Sequence, residues 1–280
     1  MCLQAPAEAA PGSAPRPHDH GISRRRFLLG AGAAALATAL PAPALAAAVP
    51  RAAGRSLRDL THVFREGFPV YGGDPPERRT LVTIPDDGFY QQEWTFAEHS
   101  ATHMDAPGHF IPGGRLSPQI TLPELFVNAV VIDISRRAAR NPDAVVTVRD
   151  LRRFEERFGR IPRDAGVFMY SGWESRVHDP EAYRNAGPDG LFHFPGFSIE
   201  AVEWLLENRD ITSIGVDTLS LDPGNSQTFA VHHTLLGADK YGLENLANLA
   251  TIPGRGATAI VGLIPWEEGS GGPARVIARW

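Results

Sequence analysis

The chain has 280 residues, which is long enough to bury a substantial core in one large domain or two small ones. Its composition is that of a globular protein, with 43% hydrophobic residues, 21% charged residues and a formal net charge of -5, and it gives no reason to expect nucleic acid as a partner. Cys2 is the single cysteine, which excludes an internal disulfide and a metal site built on thiolates. Any metal must therefore be held by histidines and carboxylates.

The N-terminal segment has the features of an export signal. The stretch Ser23-Arg24-Arg25-Arg26-Phe27-Leu28-Leu29 is basic at its start, and an Ala/Leu-rich run with an Ala44-Leu45-Ala46 cleavage motif follows. This apolar run is short for a membrane span and is interrupted by Pro41 and Pro43, which argues against a transmembrane anchor.

This pattern resembles a twin-arginine signal. It predicts a signal peptide at residues 1–46 and a linker at 47–56. The expected partner is the twin-arginine export machinery, and the expected location is the periplasm, the cell envelope or the extracellular space. No stable membrane span is expected after cleavage.

Residues 57–280 are predicted to form a single α/β domain. The apolar runs that predict strands are Ala129–Ile134, Gly166–Tyr170, Ile211–Val216, Ala257–Ile264 and Arg275–Ala278. Helical spacing of apolar residues predicts helices at Val148–Phe158 and Ser198–Glu207, the second with Ser198 as its N-cap. The order of the strands does not follow from these patterns.

The first cluster of chemically active residues lies between His99 and His109. On a strand, the even spacing of His99, His103 and Asp105 would send all three side chains to one face. On a helix only the two histidines would share a face, and Pro107 argues against a helix that continues past Asp105. A single histidine is more often an ordinary surface or hydrogen-bonding residue, but this clustering favours a zinc or manganese site that keeps one position for water.

A second cluster comprises the segment Asp217-Thr218-Leu219-Ser220-Leu221-Asp222-Pro223, then His232-His233-Thr234-Leu235-Leu236 and, further on, Glu244-Asn245-Leu246. Alone, the two histidines are also compatible with the start of a helix, and Glu244 with a solvated or capping carboxylate. The cluster gains weight from the first one, which needs further ligands to complete a metal site.

The string His99-x-x-Thr102-His103-x-Asp105-Ala106-Pro107-x-His109-Phe110 resembles the signature of the cyclase family of metal-dependent hydrolases, which includes bacterial kynurenine formamidases and isatin hydrolases. The resemblance extends from Leu57 to the end of the chain. It is carried by the segments Asp59-Leu60-Thr61-His62, Pro112-Gly113-Gly114, Gly215-Val216-Asp217-Thr218, His232-x-x-Leu235-Leu236 and Glu244-Asn245-Leu246.

The resemblance implies a central mixed, barrel-like β-sheet flanked by helices, assembled as a homodimer or homotetramer. The metal ligands that it implies for one or two Zn²⁺ or Mn²⁺ ions are His99, His103, Asp105, His232 and Glu244. It further implies that Asp105 can bridge two ions and that His109 is the general acid/base. His233 occupies a variable position and is left out. Ala101 stands where the family usually has Gly, which raises the question of a positive φ at this position.

The expected activity is metal-dependent hydrolysis of an amide, formamide or lactam bond in a small aromatic substrate such as N-formylkynurenine or isatin. A polyketide-type cyclase, a dehydratase or a lactone hydrolase on the same site is an alternative, as is a non-catalytic binding protein of the envelope. His109 favours catalysis because metal binding alone does not require it. The aromatic residues expected either to line the pocket or to belong to the core are Tyr90, Trp94, Phe96, Phe110 and Trp173.

Overall fold

The computed structural model describes residues 56–280, so the predicted signal peptide and residues 47–55 of the linker lie outside the described part and stay predictions. The strands are β1 Leu57–Asp59, β2 Glu77–Val82, β3 Gln91–Thr95, β4 His103–Asp105, β5 Phe126–Asp133, β6 Val145–Val146, β7 Ala165–Tyr170, β8 Gly196–Phe197, β9 Ile211–Val216, β10 Tyr241–Glu244, β11 Arg255–Leu263 and β12 Gly271–Arg279. The α-helices are α1 Ile84–Asp87, α2 Ser135–Ala138, α3 Val148–Phe158, α4 Pro180–Arg184, α5 Ile199–Asn208 and α6 Ala230–Gly237.

Seven strands close into a barrel-like sheet in the order β12-β11-β5-β7-β9-β10-β4, and β4 pairs back onto β12. The neighbours β5, β7, β9 and β10 are parallel, and the other pairings are antiparallel. One side of β12 pairs with β11, while the other side pairs with β4 at Gly271–Pro273 and with β1 at Ile277–Arg279. The expected α/β domain with a mixed, barrel-like sheet is confirmed.

Each face of the sheet carries its own hydrophobic core because successive side chains of a strand point to opposite faces. Met104, Phe168 and Leu243 belong to the buried cluster within the barrel. Val167 and Ile214 belong to the cluster on the outer face, which also includes residues of α3, α5 and α6. Each fully buried side chain of this size stabilises the fold by about 1.5–3 kcal/mol relative to exposure.

Long periodic segments follow the sequence-based expectation closely. β9 and α3 have the predicted bounds, and α5 begins at Ile199 because the Ser198 hydroxyl accepts a hydrogen bond from the Ala201 N–H at 3.2 Å. β12 begins four residues earlier than predicted, at Gly271. Its opening Gly-Gly-Pro carries no strand pattern, and its pairing with β4 places it in the sheet.

Outside the barrel, β2 and β3 form a separate antiparallel hairpin, and β6 pairs with β8. No helix within residues 56–280 is long and apolar enough to cross a membrane.

Arg115 links the loop after the first histidine cluster to the turn after α6. Its guanidinium donates to both Glu124 carboxylate oxygens at 2.8 and 2.9 Å and to Asp239 Oδ1 at 2.7 Å. These hydrogen bonds from Arg115, against the effect of burial, lower the pKa of Glu124 from 4.5 to about 2.

Because the folded-state pKa of Glu124 lies below its unfolded value, its contribution to stability is present above pH 4.5 and is lost as the pH falls towards about 2. We expect the Glu124→Gln variant to lose about 1–2 kcal/mol of unfolding free energy at neutral pH, after allowance for solvent screening, and less at low pH. Urea denaturation of both proteins at several pH values measures this difference. Glu93→Gln, in the exposed Arg79–Glu93 pair, is the control. If the difference in unfolding free energy between wild type and Glu124→Gln did not change with pH, the prediction would be wrong.

Candidate metal centre

The centre is built on the short strand β4, which lies between β10 and β12. His103 and Asp105 point to one face of this strand, while Met104 points into the barrel. Glu244 on β10 is the cross-strand partner of His103, so their side chains share that face. Gly242 and Gly271 are the partners of Asp105 on its two sides.

His99 approaches the same face from outside the strand. The expectation that His99, His103 and Asp105 share one strand face holds only for His103 and Asp105, because β4 begins at His103. The backbone turns at Ala101, where φ is 56°, and so brings His99 back over β12. A Cβ atom at Gly271 would lie 2.7 Å from His99 Cε1, so glycine is needed for this close approach.

The five predicted ligands converge. His99 Nδ1 lies 2.6 Å from Asp105 Oδ1, and His103 Nε2 lies 3.3 Å from both Asp105 Oδ1 and Glu244 Oε2. His232 Nε2 lies 3.1 Å from Glu244 Oε1 and 3.6 Å from Asp105 Oδ2. The donor atoms form two overlapping triads that share Asp105, each compact enough to hold a metal ion.

Hydrogen bonds on the far side of two imidazoles fix which nitrogen faces the centre. The Ala101 carbonyl accepts from His103 Nδ1 at 2.8 Å, and the Asp222 carboxylate accepts from His232 Nδ1 at 2.7 Å. Because a carbonyl and a carboxylate can only accept, both Nδ1 atoms carry hydrogen. Each Nε2 therefore faces the carboxylates, and it is the nitrogen that offers its lone pair to a metal ion once its hydrogen is lost.

The buried carboxylates of the centre need a positive charge beside them. Burial alone would lower the pKa of His103, but the Asp105 and Glu244 carboxylates raise it to about 10. Burial alone would raise the pKa of Asp105, but the adjacent imidazoles outweigh the effect of burial and hold this pKa well below its usual range. In the metal-free protein a proton on His103 therefore supplies the positive charge that two adjacent buried carboxylates need.

The residues fit a divalent metal ion. Asp105 Oδ2 is buried without a hydrogen-bond partner, although nearly all buried carboxylate oxygens have one. A metal would satisfy this oxygen and replace the proton, and the donor set of imidazoles and carboxylates suits zinc or manganese. Binding would then release protons.

His109 lies beside the donor cluster. It belongs to a short 3₁₀ turn at Pro107–His109, and its ring stacks on that of His99 with centroids 3.7 Å apart. Burial, together with the neighbouring His99, outweighs Asp105 and lowers the pKa of His109 from 6.5 to about 4. The imidazole is therefore neutral at neutral pH and able to accept a proton.

A cavity of about 240 Å³ opens onto these groups. His99, His103, His109, His232 and Glu244 lie in its wall. Most of the remaining lining is apolar or aromatic, chiefly Val70, Tyr71, Phe110, Leu219 and Phe229, and Ser220 and Asn245 add polar groups. The cavity therefore has the size and lining to admit a small, largely apolar molecule to the donor cluster.

Of the five aromatic residues considered from the sequence, only Phe110 lines this cavity. Trp173 is buried and donates its indole N–H to the Tyr183 carbonyl at 2.8 Å. Trp94 and Phe96 both pack edge-on against Phe64. Tyr90 is exposed.

Sequence reasoning missed Tyr71 and Phe229, and it gave no role to Asp222, which the second cluster contains. Asp222 orients His232, while Tyr71 and Phe229 face the cavity and pack against each other with ring centroids 5.5 Å apart. Phe229 adopts a left-handed backbone conformation with φ of 48°, which no sequence pattern indicates for an aromatic residue. His233 is exposed, in agreement with its omission from the ligand set.

The barrel-like α/β fold and a His/Asp/Glu centre beside an aromatic cavity form a site of the kind that metal-dependent hydrolases use. The sequence of the chain matches the family model described as "Putative cyclase" over residues 58–223. The chain belongs to this family.

Similar proteins agree with this assignment. An isatin hydrolase of Roseibium aggregatum is 33% identical over 202 residues, which cover 69% of this chain and 76% of the relative. A kynurenine formamidase of Erythrobacter litoralis is 28% identical over 228 residues, which cover 80% of this chain and 94% of the relative. The solved structure of isatin hydrolase A from Ralstonia solanacearum has a TM-score of 0.76 at 34% identity, covering 87% of this chain and 99% of that one.

Proposed function

We propose that this metal-dependent amide hydrolase opens the C–N bond of a small, neutral, flat aromatic lactam. The observation that carries the proposal is the convergence of five metal-ligating side chains and a neutral His109 on one aromatic cavity. The isatin hydrolase relative supports a lactam as substrate.

A zinc or manganese ion held by one or both triads would supply Lewis acidity, activating a water molecule and polarising the substrate carbonyl. The residues around it provide position and proton transfer. The cavity aromatics Tyr71, Phe110 and Phe229 hold the flat ring against the centre. His109 accepts the proton of the attacking water and delivers it to the leaving nitrogen, and its stacking on His99 holds it in place.

The charges around the cavity discriminate between substrates. None of the described residues that line it is Lys or Arg, whereas Glu244 is part of its wall and Asp105 lies directly behind. N-formylkynurenine is a zwitterion, and its α-ammonium and α-carboxylate would both have to enter a largely apolar cavity whose described lining offers the carboxylate no Lys or Arg. Isatin is neutral and carries no such group, so the cavity favours it.

The test is hydrolysis of isatin and of N-formylkynurenine by the mature protein, loaded with Zn²⁺ or Mn²⁺ and then treated with a chelator. We expect kcat/KM for isatin to exceed that for N-formylkynurenine by about 10- to 100-fold, the cost of one unpaired charge of about 1.4–2.8 kcal/mol. Turnover should cease on chelation and return with metal. A preference for N-formylkynurenine would contradict the substrate assignment, and metal binding without incorporation of ¹⁸O from water into any product would redirect the search to a cyclase or a binding protein.

We also propose that the protein is exported by the twin-arginine pathway and acts outside the cytoplasm as a homodimer or homotetramer. The basic motif at Ser23–Leu29 and the Ala44-Leu45-Ala46 site support export, and the family resemblance supports assembly. Fractionation of cells that produce the wild-type chain or an Arg24→Lys/Arg25→Lys variant, and light scattering of the purified protein, test the two proposals. Cytoplasmic retention of the wild type or a monomeric mass would contradict them.

A further inference from the structure

The turn between β11 and β12 reaches back to the metal centre. Ser270, the residue before β12, accepts a hydrogen bond from the Ala106 N–H at 2.9 Å, and Gly271 pairs with Asp105. Gly269 accepts from the Ser117 N–H at 2.8 Å. The backbone on both sides of Ser270 is therefore fixed against the loop that carries the histidine cluster.

The side chain of Ser270 lies between His99 and Glu98. His99 Nε2 is 2.9 Å from Ser270 Oγ, and Ser270 Oγ is 2.5 Å from Glu98 Oε1. The Ser270 N–H also donates to Glu98 Oε2 at 3.1 Å, so the carboxylate is held at two points. These contacts form a continuous chain from Glu98 through Ser270 to His99.

The donor inventory sets the direction of this chain. A serine hydroxyl has one hydrogen, and the carboxylate of Glu98 can only accept, so the Ser270 hydroxyl donates to Glu98. Its oxygen must then accept from His99 Nε2–H. His99 Nδ1 donates to Asp105 Oδ1 at 2.6 Å within the donor triad, so it is the nitrogen whose hydrogen a cation would replace, while Nε2–H stays bonded to Ser270.

We infer that Glu98 and Ser270 are positioning residues that select the tautomer of His99 and thereby set the affinity of the centre for its metal. His99 needs this support more than the other two histidines, because it lies outside the strand and does not use the backbone carbonyl that orients His103 or the Asp222 carboxylate that orients His232. Hydrogen bonding to Ser270 and Glu98 also increases the basicity of the imidazole, which strengthens ligation.

The inference rests on the metal centre of the proposed function, and its test is metal affinity measured without substrate. Zn²⁺ or Mn²⁺ alone is titrated into metal-free protein in competition with a chromogenic chelator. We expect Ser270→Ala to weaken binding by about 10- to 100-fold and Glu98→Gln, which keeps a neutral acceptor, to weaken it less. Glu267→Gln, an exposed glutamate in the same turn, is the matched control and should bind metal like the wild type.

A double-mutant cycle separates a relay from two independent packing effects. If Glu98 acts through Ser270, Glu98→Gln should cost nothing further once Ser270 is alanine, whereas independent effects would add. Thermal unfolding of the metal-free variants checks that each still folds, and Glu98→Gln preserves side-chain shape. Wild-type affinity in Ser270→Ala and Glu98→Gln, or additive losses, would overturn the inference. Absence of metal binding by the wild type would instead overturn the proposed function and the inference with it.

Discussion

The His109→Ala variant should bind metal like the wild type and lose about 10²- to 10⁴-fold in kcat, the range of a general acid/base. His109 lies outside both donor triads, so its removal leaves the ligand atoms in place. What is lost is the neutral imidazole that moves a proton between water and the leaving nitrogen. Metal content by elemental analysis, together with single-turnover kinetics, measures the two effects separately.

Asp105→Ala provides the contrasting case. Asp105 is shared by the two triads, so its loss should abolish metal binding and turnover together. His233→Ala, an exposed histidine next to a ligand, is the control for loss of an imidazole near the site. Full turnover in His109→Ala would remove His109 from the chemistry, and loss of metal in that variant would make it a ligand instead.

The second large effect is expected at Asp222, which joins the predicted ligand His232 to the start of α6. Its Oδ2 accepts from His232 Nδ1 and from the His232 N–H at 3.1 Å, and its Oδ1 accepts from the Val231 N–H at 3.0 Å. Phe229, the N-cap residue of α6, provides no side-chain cap. Burial opposes ionisation of this carboxyl, yet the hydrogen bonds from His232 and the backbone lower the pKa of Asp222.

We expect Asp222→Ala to lower the free energy of unfolding by about 2–4 kcal/mol, because it leaves buried donors at the start of α6 without acceptors. The same variant should bind metal about 10- to 100-fold more weakly, because His232 loses the partner that fixes its tautomer. Urea denaturation of metal-free protein and chelator competition measure the two losses. Asp143→Ala is the matched control, since it breaks a more exposed Asp–His pair with His193, and losses as small as those of this control would contradict the role of Asp222.

The sequence predicts the parts of this molecule whose signal is local. The helix Val148–Phe158 and the strand Ile211–Val216 were correctly bounded because their apolar residues repeat with a clear period over a long enough segment. The five predicted ligands and His109 stand out in the sequence because their spacing is unusual and resembles that of a known family. Their convergence in space agrees with that assignment.

Other parts depend on partners distant in the chain. β4 has three residues and β10 has four, too few for a periodic pattern, and each is defined by the strands beside it. Ser270 lies 171 positions from His99, so nothing near either residue indicates their hydrogen bond. At Ala101, by contrast, a feature of the backbone was indicated by the sequence. The resemblance to the family raised the question of a positive φ at this position, and the backbone has one.

The closure of the barrel has a consequence for the order in which the structure forms during folding. The strand β4 pairs with β10 on one side and with β12 on the other. Its central residue, Met104, pairs with Leu243 and Gly272, which are distant from it in the sequence. Contacts of such long sequence separation form slowly, after the local helices and the parallel β5–β7 and β7–β9 pairs. During synthesis at about 5–20 residues per second, the histidine cluster leaves the ribosome many seconds before the strand that completes it. We therefore expect the triad of Asp105, His232 and Glu244, whose members are distant in the chain, to assemble only as the barrel closes.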